Sequence, residues 1–202
     1  MALLCFIINF DQIAVSGQLG ELYARVPPEG FEAALRTSVV DISRASSPER
    51  PSALEIFDFF DDLFEVPELG VSRLDQLLVY RCCLTATHIR PFPIGYMRLM
   101  LVIAKRLGWN MVDTEARWFG ERNLGLLVPG FNGETLSFWD LHWMGRDAVR
   151  GAVAILENLK TEFEGSAHIV DSWLTEYRMA AELERGLLLH LDRSFDQLWN
   201  LA

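Results

Sequence analysis

The run from Glu55 to Glu65, EIFDFFDDLFE, sets five carboxylates among four phenylalanines in eleven residues, with no lysine or arginine. Carboxylates at this density hold a divalent cation, present a face to a basic partner, or form the hydrated side of a helix. Asp61, Asp62 and Glu65 are the candidate metal ligands, and Glu55 and Asp58 extend the same charge. A second constellation is WDLHW at 139 to 143. In an extended chain Asp140 and His142 share a face, where a carboxylate can orient an imidazole for acid/base work. The same five residues also read as a loop whose Trp139 and Trp143 pack on helices while Asp140 caps the next one.

FFDDLFE resembles the aspartate-rich DDxxE element of class I terpene synthases, which hold magnesium against a substrate diphosphate. The resemblance implies that Asp61, Asp62 and Glu65 would take that role. It stops at these positions, because no downstream Asn/Asp, Ser/Thr, Glu triplet follows at the spacing of that family's second metal site. Elsewhere, catalytic motifs are missing. The four histidines never come at i,i+4 or in HExxH, and no GxSxG elbow, Walker loop or GxGxxG occurs. No cofactor is expected.

Trp109, Trp118, Trp139 and Trp143 lie beside Arg117 and Arg122. Tryptophan with arginine is the composition of interface hot spots, and equally of cores with a stacked guanidinium. Trp118, Arg117 and Arg122 therefore join Glu55, Asp58, Asp61, Asp62 and Glu65 as candidate partner-binding residues. The segment Arg90 to Tyr96 is either a loop presenting Phe92 and Tyr96 or the entry to a helix.

The elements that must position these groups are mostly helical. Ser52 to Glu55 reads as a capping box and Pro67 as a stop, so 55 to 65 is expected to be helix. On it the five carboxylates fall within about 120° of arc and the apolar residues fill the rest. That face has a cost, since each like-charge i,i+3 or i,i+4 pair opposes the helix by about 0.2–0.5 kcal/mol. Residues 73 to 122 carry eight basic side chains against four acidic ones, whereas 49 to 68 carry seven acids and one arginine. Arg73, Arg81, Arg90, Arg98, Lys105, Arg106, Arg117 and Arg122 are thus the obvious internal balance for the acidic run.

Further helices are expected from Ser72 to before Pro91, from Pro93 to Gly108, from Asp147 to Phe163, and from Ser166 to Trp199 as one helix or two joined near Gly186. MALLCFIINF reads as a buried strand or the first turns of a core helix. Around Asn132-Gly133 a small hairpin or ordered loop is expected within 124–143, with Pro129 confining its first strand to an edge. The expected fold class is mainly α, a bundle-like single domain over 1–202 in which N-terminal elements (1–46) pack on a helical body (52–202).

A net charge of −10 and a pI near 4.8 disfavour nucleic acid and anionic membrane as partners, because both need a basic footprint. Cys5, Cys82 and Cys83 make a poor disulfide framework and point to a reducing cytoplasm. The expected function is that of a soluble, acidic protein-binding protein, in its concrete form an inhibitor or immunity-type protein covering a basic toxin or enzyme. The alternatives are a magnesium-dependent α-helical hydrolase or lyase working through 55–65, and a self-associating structural protein, with a homodimer among the expected assemblies.

Overall fold

The structure, a computed structural model, describes residues 4–45, 73–86, 88–122, 127–128, 141–162, 165, 167–191 and 194–202. The acidic run 55–65 and Asp140 lie outside them. The described residues form eight α-helices and four strands, so the architecture is mainly α with a small sheet. The chain divides into two units, one of Met1–Asn9, His88–Arg122 and Trp139–Ala202, the other of Phe10–Thr87 and Asn123–Phe138.

The second unit holds α1 (Gln12–Arg25), a short 3-10 turn (Pro28–Gly30), α2 (Phe31–Ala45) and α3 (Arg73–Cys83). Asp11 caps α1 by accepting from the Ala14 amide at 2.9 Å. Val26 turns extended before Pro27 and Pro28, which cannot continue the helix. Val15, Leu19, Phe31, Leu35 and Val39 recur at helical spacing and are buried. Cys82 and Cys83 are free thiols buried on α3, and burial pushes the Cys82 thiol up to about 12. Neither is a ready nucleophile.

The first unit is built on a sheet of order β2-β1-β4-β3: β1 (Leu4–Phe10), β2 (His88–Pro93), β3 (Leu141–Met144) and β4 (Gly186–His190). β1 runs antiparallel to β2, with Cys5 opposite Phe92, and β3 antiparallel to β4, with His142 opposite Leu189. Pro91 and Pro93 fit β2 because it is an edge strand, where missing amides break no ladder. This resolves 90–96. The segment is a strand running straight into a helix, and Phe92 is not presented to a partner but buried and stacked on Trp173 at 5.4 Å.

Around the sheet lie α4 (Ile94–Arg106), α5 (Met111–Trp118), α6 (Arg146–Glu162), α7 (Ala167–Glu182) and α8 (Phe195–Leu201). Met97, Met100, Leu101 and Ala104 of α4 meet Trp173, Leu174 and Tyr177 of α7 and Leu187 and Leu189 of β4 in one core. α6 and α7 pack together and are tied at their rims by Arg178 to Glu157 (2.8 Å) and Lys160 to Asp171 (2.6 Å). Half-exposed pairs of this kind add little; the apolar seam holds the helices. Lys105 and Arg98 reach the Trp199 and Leu201 carbonyls at 2.6 and 2.9 Å, setting cationic donors on the last turn of α8, where the helix dipole favours them.

Two helices expected from sequence are shorter in the structure. The one expected from Ser72 to before Pro91 ends at Cys83, and His88–Pro93 is a strand. The run 166–199 is not helical throughout: α7 ends at Glu182 and Gly186–His190 is a strand, buried at every position. A three-residue apolar run, Leu187 to Leu189, with Leu191 beyond His190, fits a helix or a doubly covered strand equally by periodicity. The hairpin expected within 124–143 lies mostly outside the described residues. Its last residues form β3, whose strand partner is β4.

Candidate functional site

The charged cluster that the first unit assembles most closely lies between α5, β3 and α8. Asn110 starts α5, its side chain accepting from the Asp113 amide at 2.8 Å. That sets Glu115 on the second turn, half-buried. The helix ends at Phe119, and Gly120 turns the chain with φ of +91°, a value that favours glycine. The next residue, Glu121, makes a two-way bridge to Trp143: its amide donates to the Trp143 carbonyl at 2.8 Å and its carbonyl accepts at 2.7 Å. Arg122 and His142, neighbours of the bridged pair, are thereby brought to one carboxylate.

His142 Nε2 lies 2.8 Å from Glu115 Oε1, and Arg122 Nε donates to the same oxygen. Arg122 also reaches Asp196 Oδ1 at 3.2 Å. Ser194 places that carboxylate by capping α8 through the Gln197 amide at 3.3 Å. The His142 side chain is 0 % exposed, between the rings of Phe119 and Phe195 at 6.1 and 5.9 Å. Exposure rises outward, through Glu115 and Arg122 to a half-exposed Asp196.

Burial opposes charge on each inner group, and the outcomes differ. For His142 burial outweighs the help from Glu115, so its pKa falls below the usual imidazole value. For Glu115 burial is outweighed by hydrogen bonds from His142 and Arg122, so its pKa falls too. Arg122 is held charged by Glu115 and Asp196. At neutral pH a neutral imidazole donates Nε2–H to an ionised carboxylate, and Nδ1 has no hydrogen-bond partner among the described residues. The imidazole is oriented as in an acid/base dyad, but a side chain with no exposure meets no substrate. Among the described residues no group of three metal-binding side chains occurs, and no helix is long and apolar enough to cross a membrane.

The residues singled out from sequence are dispersed. His142 is in the cluster, with Glu115 as its carboxylate, while Asp140 lies outside the described residues, as do Glu55, Asp58, Asp61, Asp62 and Glu65. Arg122 belongs to the cluster. Trp118, expected at an interface, is 2 % exposed. Its ring packs on Trp109 at 5.0 Å and its carbonyl accepts from the Tyr177 hydroxyl, so it is a core side chain. Arg117 is exposed, over the Trp109 ring at 5.0 Å. Comparison with known proteins gives no match to a family model, a curated protein or a solved structure. Function must be read from the residues.

Proposed function

We propose that the chain works by binding another protein, with the carboxylates of 55–65 steering a basic partner in the manner of an inhibitor or immunity protein, in a reducing cytoplasm. One observation supports it. Six of the eight basic side chains that sequence would set against the acidic run have other engagements: Arg81 donates to Gln18, Arg90 to Glu176 at 2.7 Å, Arg98 and Lys105 to the end of α8, and Arg122 to Glu115 and Asp196, while Arg117 rests on Trp109. Basic groups engaged in this way compete less for the acidic run, and carboxylates not neutralised within their own chain act at range on a partner of opposite charge. The net charge of −10 adds to this field.

The test has two stages. The tagged chain is used to capture proteins from its own cell extract, and the protein that salt elutes is purified. Its affinity is then measured against salt for the wild type and for Asp58→Asn, Asp61→Asn, Asp62→Asn, Glu65→Gln combined. The neutralised chain is expected to associate about tenfold more slowly at low salt, with a flatter salt dependence. Unchanged affinity and unchanged salt dependence would overturn the steering role. Recovery of the chain's own copies alone would favour self-association.

A further inference from the structure

We draw no further inference here: the strongest candidate, the apolar groove of about 210 Å³ where the turn after α4 meets α6, lined by Leu107, Trp109, Ile155, Asn158 and Leu159, carries nothing because nothing in the structure shows what covers it.

Discussion

His142 is a histidine placed where protonation is costly, and its acceptor among the described residues is Glu115. His190 is buried likewise, and burial brings its pKa down to about 4 from the usual 6.5. Both folded values lie below the unfolded one, so both imidazoles are neutral in either state above pH 6.5 and stability is full there. As the pH falls, the unfolded chain takes up protons first and folding loses ground, by about 3 kcal/mol for His190 once its folded pKa is reached. Glu115, depressed in the fold, withdraws its own contribution in the same direction at lower pH. Denaturant melts between about pH 7 and pH 5 should show a falling midpoint, less steep in His190→Gln. A flat profile in the wild type would contradict neutral burial of the imidazoles. Glu115→Gln should lower the His142 pKa further, because the carboxylate is what favours its charged form, and an NMR titration of the ring reads this directly. His142 was legible in sequence as a candidate and its partner was not. Glu115 stands 27 residues away, and the contact exists only because of the turn and bridge between them.

That turn belongs to the scale of elements. A Cβ on Gly120 would run into the Trp143 carbonyl oxygen, with the carbonyl carbon at 2.9 Å and the Met144 Cα at 3.2 Å. Gly120→Ala is expected to cost about 2–3 kcal/mol, from the strained φ and the clash with β3 backbone. It should also release the Glu115–His142 hydrogen bond, which the imidazole NMR signal would report. Wild-type stability and an unchanged ring signal would show that the close approach is not required. Helices were the readable elements. Pro93 ahead of α4, the apolar spacing of α4 and α6, and the stop at Gly108 all carry local signals. β4 was misread because Leu187, Leu188 and Leu189 are buried on both faces and carry no alternation. β2 was read as a loop or helix entry because its prolines hide a strand that only an edge position permits.

For the molecule as a whole, charge is the property that the sequence made plain and the pattern of pairing refines. If the acidic run serves a partner rather than the fold, its like-charge repulsion burdens the free chain. Asp61→Asn, Asp62→Asn, Glu65→Gln combined should then raise the melting temperature at low salt, and the gain should shrink as salt screens the wild type. A lower melting temperature would mean that these carboxylates are paired inside the protein, and would remove the main support for the binding reading. The fold class was legible because helical periodicity is local. The charged cluster was not, because each of its contacts joins residues distant in the chain.

The strand order carries one more consequence, for synthesis. β1 comes early in the described chain yet lies between β2 and β4 in the sheet, and β4 is the last of the four described strands. During translation one edge of β1 must stay unpaired until Gly186–His190 emerges, so the sheet closes only near the end of the described chain. Such non-local pairing folds slowly and leaves an open strand edge exposed meanwhile. A ribosome stalled before β4 would therefore hold a nascent chain with an apolar strand, LCFIINF, available to chaperones or to another chain.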